Sequence, residues 1–462
     1  MHSWQKFFNR ATAYHQAGKL NEALVGYRKV LRKYPRHADA LHLMGIILAD
    51  QGKVEEGLAH INKAIAVRAD FAPYYLNRGL AFFRLQQFDK AISDFNQALS
   101  LDYRNAQSYG YLGDALLANK SIKLAIEAYQ QALQLESNNI NVSHNLGNAY
   151  LAEKDYARAA SCYKTVLEFK PDSAETLTNL GIVLAAQNKI NEAISYHQKA
   201  IAVKPDFIQA HNNLGLAYNQ LRDFYAAETT YRTALTLEQN NAEIYLNLGV
   251  NYRDQNKIEQ ALECFQKAAA IKPSAEAEFN QAISFLLLGD FKNGWSKYEA
   301  RLHIQSRALD INYPQPLWQG ENLTGKSLLI HAEQGLGDTL QFCRYLKLFA
   351  DSSNIAFACQ NELAALLKPY FPNILPRCIP KQHFDYQIPI MSLPLRFSTN
   401  SLDDIPFNTG YLAAPNHPNG LVDSTQFKVG IVWCGNKQNP NDRNRSIPLA
   451  LFDSLLNLNG VV

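Results

Sequence analysis

The sequence predicts two unlike parts: an all-α superhelix of stacked helix pairs, followed by an α/β unit in which strands alternate with helices. Three observations carry this. Gly45, Gly79, Gly113, Gly147, Gly181, Gly215 and Gly249 stand 34 residues apart, a spacing that marks a helix-turn-helix unit repeated in tandem. In the same frame Ala recurs twelve residues on (Ala91, Ala125, Ala159, Ala193, Ala227, Ala261) and a bulky ring sixteen on (Phe95, Tyr129, Tyr163, Tyr231, Phe265). Beyond about residue 312 the period is gone, and short apolar runs alternate with glycine loops and helical stretches, the texture of a parallel sheet with covering helices.

Residues 1–36 read as a capping repeat, with Ala11 where the glycine belongs and Tyr14, Ala23, Tyr27 and Pro35 in register. Atypical terminal repeats are expected of caps. Regular repeats fill 37–273, with Pro171, Pro205 and Pro273 marking helix ends. A final degenerate repeat, 274–310, slips by one residue and contains Leu288-Gly289-Asp290 and Tyr298-Glu299-Ala300-Arg301. Within a repeat the small Gly and Ala residues let helices approach closely, while Tyr and Phe fill the holes between neighbours. No unit buries its apolar face alone, so stability accumulates by stacking. Extra atoms at Gly215 are expected to overpack a helix contact, costing about 1–3 kcal/mol.

A proline-rich connector, 311–326, joins the two parts. In 327–426 the expected order is a buried strand ending at His331, a glycine loop Glu333-Gln334-Gly335-Leu336-Gly337-Asp338, a helix over 339–350, a strand over 355–359, a helix over 361–370 and a third strand over 386–390. Residues 427–462 open another βα unit, with a strand from Phe427 to Cys434, a polar loop and a helix over 448–456.

The chain has 462 residues, 47% hydrophobic and 19% charged, with a formal net charge of +3. It is long and apolar enough for several domains, and too weakly basic for a nucleic-acid footprint. Its six cysteines have no short paired spacing, which argues for core thiols in a reducing compartment rather than zinc or disulfides. The N-terminus lacks the apolar run of a signal peptide, and no stretch approaches the roughly 20 residues of a membrane span. A cytoplasmic protein with no membrane span, no metal and no cofactor is expected.

Three groups of residues bear on function. First, Gly335 and Gly337 follow a strand and open a helix, a geometry that offers free N–H groups to a phosphate. Asp338 there is the candidate general base, and its alternative role is the N-cap of a tight βα turn. Second, Gly435, Arg443, Arg445 and Ser446 lie on the loop after the strand at 427–434, where the arginines suit a diphosphate; a solvated basic loop is the alternative. Third, Asn77, Asn145, Asn179, Asn213 and Asn247 share one repeat position, two residues before the glycine. A row of amides can donate to and accept from an extended peptide backbone, or it can bond neighbouring helices. His144, His197 and His211 lack metal-ligand spacing and read as packed or surface residues.

The repeats resemble tetratricopeptide repeats throughout. Gly294-Trp295 with Tyr298-Glu299-Ala300-Arg301, Trp318-Gln319-Gly320, the loop Glu333 to Asp338, Gln341-Phe342 with Arg344-Tyr345, and Val429 to Trp433 with Asp442-Arg443-Asn444-Arg445-Ser446 together resemble bacterial tetratricopeptide proteins with a glycosyltransferase domain. That domain is similar to the heptosyltransferases, and the layout resembles the protein O-GlcNAc transferases. The resemblance implies a GT-B fold of two Rossmann-like lobes, with a nucleotide sugar held mainly by the second and a protein or peptide acceptor presented by the superhelix. It implies Asp338 as base and Gly435, Arg443, Arg445 and Ser446 as phosphate contacts, without a metal. Such a second lobe runs well over one hundred residues, whereas 35 follow Phe427; a truncated second lobe is therefore expected. The alternative is a non-catalytic interaction scaffold with a relic domain.

Overall fold

The computed structural model describes residues 3–304, 313–333, 335–349, 354–378, 382–407 and 411–412. The chain divides into two compact units, one ending at Leu288 and the other beginning at Gly289.

The first unit is a run of antiparallel helix pairs. Ser3–Gln16 pairs with Leu20–Lys33, Ala38–Asp50 with Val54–Val67, and so on through Ala242–Asp254 with Ile258–Ile271; Ala275–Leu287 closes the series. That makes eight pairs among the described residues, each packed on the next. The sequence sets both ends of these helices. Most first helices begin at side-chain caps, as where Asn105, Asn139, Ser173, Asn241 and Ser274 each accept from a backbone N–H of the opening turn, whereas Phe71 and Phe207 cap theirs without such a bond. They end at one left-handed residue, which turns the chain into the second helix. Gly18 and Gly52 take that conformation freely, but Gln86, Lys120, Lys154, Asn188, Arg222 and Asn256 hold it with φ between 57° and 64°.

The core of the array follows the 34-residue frame. A Cβ built on Gly215 would lie 2.5 Å from Cε1 of Tyr231, and one on Gly147 would lie 2.6 Å from Cε1 of Tyr163. The ring sixteen residues on therefore occupies the notch that each glycine leaves. Phe95, Tyr129, Tyr163, Tyr231 and Phe265 are all buried, as are the six alanines twelve residues on. Two notches are filled differently: Ile61 faces Gly45 and His197 faces Gly181.

The second unit opens with a helix, Phe291–Tyr298, and a 3-10 turn, Glu299–His303. Four parallel strands follow: β1 Leu328–His331, β2 Ile355–Cys359, β3 Ile374–Pro376 and β4 Tyr386–Pro389, in the order β3-β2-β1-β4. His331 stands beside Ala358 on one side and Pro389 on the other. The chain steps outward from β1 to β3, then returns to the far side of β1, so strand order reverses between β1 and β4. Leu329, Ala356, Ala358, Phe384 and Tyr313 pack together on the sheet.

Several elements differ from expectation. The helix after β1 is Leu336–Phe342, continued by 3-10 turns over Cys343–Phe349, so it begins three residues earlier than the 339 start. The next helix stops at Leu367, and the strand at 386 stops at Pro389, where a 3-10 turn takes over. β3 was not expected; it is short, half exposed and ends in Pro376, as an edge strand permits. The strand at 427–434 and everything after it lie outside the described residues. Burial pushes the thiols of Cys162, Cys264, Cys343 and Cys359 up to about 11, as packed thiols require.

Candidate functional site

Asp338 sits in the first turn of its helix, not at the cap. Gly335 is the N-cap, and Oδ2 of Asp338 accepts its N–H at 3.2 Å. This is half of a capping box, since glycine has no side chain to return the bond. The carboxylate is half-buried, while Gly335 and Gly337 are exposed. Thr339, fully buried, holds the turn through its hydroxyl, whose one proton is shared between two acceptors, Gly335 O at 3.2 Å and Gln360 Oε1 at 3.0 Å. The loop thus lies at the carboxyl end of β1, beside the point where strand order reverses. In open α/β sheets that is where ligands bind.

The same end of the sheet is packed with polar groups. Arg301, 2% exposed, lies against Glu333 in a bidentate pair, Nε to Oε2 and Nη2 to Oε1, both 2.8 Å. Its Nη1 donates to Oε1 of Glu299 at 2.7 Å and its Nη2 to Oγ of Ser392 at 2.8 Å. Burial opposes the charge of Arg301, but the attraction and hydrogen bonds of Glu333, then Glu299, outweigh it and raise its pKa. His331, also buried, pairs its Nε2 with Oε1 of Gln387 at 2.7 Å and stacks its ring 4.3 Å from that of Tyr313. Burial lowers its pKa to about 4, so it is neutral at pH 7.

In the array, all five asparagines of the row are half-buried on first helices, and four are engaged within the array. Asn145 donates to Oδ1 of Asp114 at 2.8 Å, which also accepts from Tyr129 at 2.7 Å. Asn179 donates to Oδ1 of Asn148 at 3.0 Å, which accepts from Tyr163 at 2.7 Å. Asn247 donates to Asn212, and Asn77 to Pro73 O, with His42 Nε2 3.0 Å away. The repeat before Asn213 carries Ile182 at the position that holds Asp114 and Asn148 in theirs, and the Asn213 side chain makes no hydrogen bond to a described residue. Burial raises the pKa of Asp114, with the bonds from Tyr129 and Asn145 opposing.

The structure adds one residue to the row. Asn280 holds the equivalent position on Ala275–Leu287, accepting from Arg253 Nη1 at 2.7 Å and donating to Glu276 O at 2.9 Å. Its signal is Ala282 two residues on, 33 rather than 34 residues after Gly249. Gly435, Arg443, Arg445 and Ser446 lie outside the described residues. His144 bonds Thr176, His211 bonds Pro205 O, and His197 is buried with its pKa lowered to about 4 by burial. Among the described residues no group of three His, Cys, Asp or Glu is placed to hold a metal, and no helix is long and apolar enough to cross a membrane.

Paired helices in a 34-residue frame, with a ring in six of the seven glycine notches, define a tandem helix-repeat protein. Residues 8–73 and 76–140 match one tetratricopeptide repeat profile, and 135–206 and 206–274 match a second. Together they span more than half of the chain, which belongs to the tetratricopeptide repeat family. Among curated proteins it is 32% identical over 130 residues to Protein FlbA of Caulobacter vibrioides, covering 26% of this chain and 22% of FlbA. It is 30% identical over 87 residues to "Probable UDP-N-acetylglucosamine–peptide N-acetylglucosaminyltransferase SPINDLY" of Hordeum vulgare, covering 17% of this chain and 9% of SPINDLY. The chain therefore matches about a fifth of one relative and a tenth of the other. Similar solved structures include a chain of the APC/C hetero-tetramer Cut9-Hcn1, at 18% identity and TM-score 0.43, covering 62% of this chain and 57% of that one. They also include YrrB, a TPR protein with an unusual peptide-binding site, at 23% identity and TM-score 0.33, covering 40% of this chain and 95% of YrrB.

Proposed function

We propose that the tetratricopeptide array binds an extended segment of a protein, and that the α/β unit belongs to a sugar-transferring lobe that uses a nucleotide sugar as donor. What supports the transfer reading is one placement: the half-buried carboxylate of Asp338 on a glycine turn at the carboxyl end of β1, beside the reversal of strand order. In that scheme Asp338 takes the proton from an acceptor hydroxyl as it attacks the sugar carbon, and the bond to the leaving diphosphate breaks. Gly335 and Gly337 would face phosphate, and Arg443, Arg445, Gly435 and Ser446 would hold the leaving diphosphate. The name of the barley relative points to UDP-N-acetylglucosamine as the first donor to try.

The peptide reading rests on the asparagine row, each member of which keeps its amide oxygen or one N–H for a partner. Asn213, whose side chain has no hydrogen bond to a described residue, is its fourth member. The experiment combines the two. Wild type and Asp338→Asn are incubated with UDP-N-acetylglucosamine and a peptide library, and products are read as added sugar mass. Transfer by wild type that falls on the order of 100-fold in the variant, with peptide affinity unchanged, is the expected outcome. Peptide binding with no transfer by either protein removes the enzymatic reading and leaves a scaffold with a relic domain. Equal affinity after Asn145, Asn179 and Asn213 are changed to Ala removes the row.

A further inference from the structure

The crevice between β1 and β4, where a ligand of an open parallel sheet would sit, is taken up by the chain's own side chains. Arg301 comes from the 3-10 turn that precedes the sheet, Glu333 from the segment after β1, and Ser392 from the turn after β4. Both oxygens of Glu333 are spoken for: Oε1 accepts from Arg301 Nη2 and from the backbone N–H of Met391 at 3.0 Å, and Oε2 from Arg301 Nε. Its backbone carbonyl accepts from Arg377 Nη2 at 2.9 Å. Glu299, held by Arg301, also accepts from Ser392 at 2.8 Å and lies 3.5 Å from Arg396.

A carboxylate that accepts three hydrogen bonds, two of them from a buried arginine, is a poor base. It can hold a backbone in place. Glu333 lies two residues before Gly335, whose N–H and C=O are tied to Asp338 and Thr339. Arg301 thus holds Glu333, and Gly335, two positions further along the sequence, is held by Asp338 and Thr339.

We infer that Arg301 is a positioning residue, which acts through Glu333 to fix the glycine turn and so the Asp338 carboxylate at the carboxyl end of the sheet. The inference deepens the transfer reading and rests on it for its catalytic meaning, but the positioning itself is a property of the fold. The segment Tyr298 to Arg301, which sequence alone places in the last repeat, then acts as an inner wall of the α/β unit.

Hydrogen exchange on the full chain tests this. In Arg301→Met, which keeps bulk and removes the charge, amides of residues 335–342 should lose at least about 10-fold more protection than those of β1 and β2, while the repeat array keeps its wild-type rates. Arg301→Lys, retaining the charge without the fork, should recover part of the protection. If 335–342 exchange at the wild-type rate in Arg301→Met, or if β1 and β2 lose protection to the same degree, positioning of the turn is overturned. Where transfer is detected, Arg301→Met should lower kcat with KM held. Absence of transfer in wild type defeats the catalytic reading alone and leaves the exchange result standing, so the two failures are distinct.

Discussion

The two units solve the problem of a close-packed interior in opposite ways. In the array one local rule is repeated, with a glycine notch filled by a ring sixteen residues later. In the α/β unit the packing at the end of the sheet is ionic, assembled from three distant segments around Arg301. The difference teaches where tolerance lies. An apolar notch loses stability in proportion to misfit, whereas a buried charge stripped of its partner leaves a desolvation penalty with nothing to offset it.

The largest expected effect follows from that asymmetry. Glu333→Ala leaves Arg301 buried against one remaining carboxylate and should destabilise the α/β unit by about 3–5 kcal/mol, read as loss of its own unfolding transition in urea while the array transition stays put. A double variant, Arg301→Met with Glu333→Leu, should recover most of the loss. Failure to recover would mean that the pair cannot be replaced by apolar packing.

His197 breaks the rule inside the array, because it puts a titratable ring in a notch that Tyr or Phe fills elsewhere. Its pKa falls from 6.5 to about 4 through burial, so the unfolded chain binds the proton more readily. The stability it contributes is therefore full above pH 6.5 and is lost as pH falls toward 4. The loss is about 3 kcal/mol at most by linkage. His197→Phe should flatten the pH dependence of array unfolding across that window, and an unchanged slope would put the acid sensitivity elsewhere.

Gly215→Ala should be milder, about 1–3 kcal/mol, since its new methyl meets Tyr231. Trimming Tyr231 to Leu in the same chain should reduce the penalty. Equal cost in both backgrounds would show that the notch and the ring are not one contact.

Legibility divides along the same line. The array could be read because a period multiplies a weak signal. Gly, Ala and ring positions repeat, and the burial of Phe95, Tyr129, Tyr163, Tyr231 and Phe265 is what the frame implies. Asn280 escaped because one short spacing moved it out of frame. The left-handed residues Gln86 to Asn256 escaped because they share no side-chain chemistry, only a place in the turn. In the α/β unit the strand, glycine loop and helix order could be read. The early start of the helix at Leu336 could not, since Gly335 caps it without any side chain. Nor could the pairing of Arg301 with Glu333, which are two ordinary charges until the sheet encloses them.

The distances along the chain that these contacts span differ greatly, and that bears on how the protein is made. A glycine notch closes over sixteen residues, so a pair of repeats can form as soon as it is synthesised, and the array can grow from any point. The bond from Arg301 to Ser392 joins groups 91 residues apart. Its segment must wait, with a charged side chain in water, until the last described strand has arrived. On the ribosome the array should be complete before the sheet beside Asp338 can close.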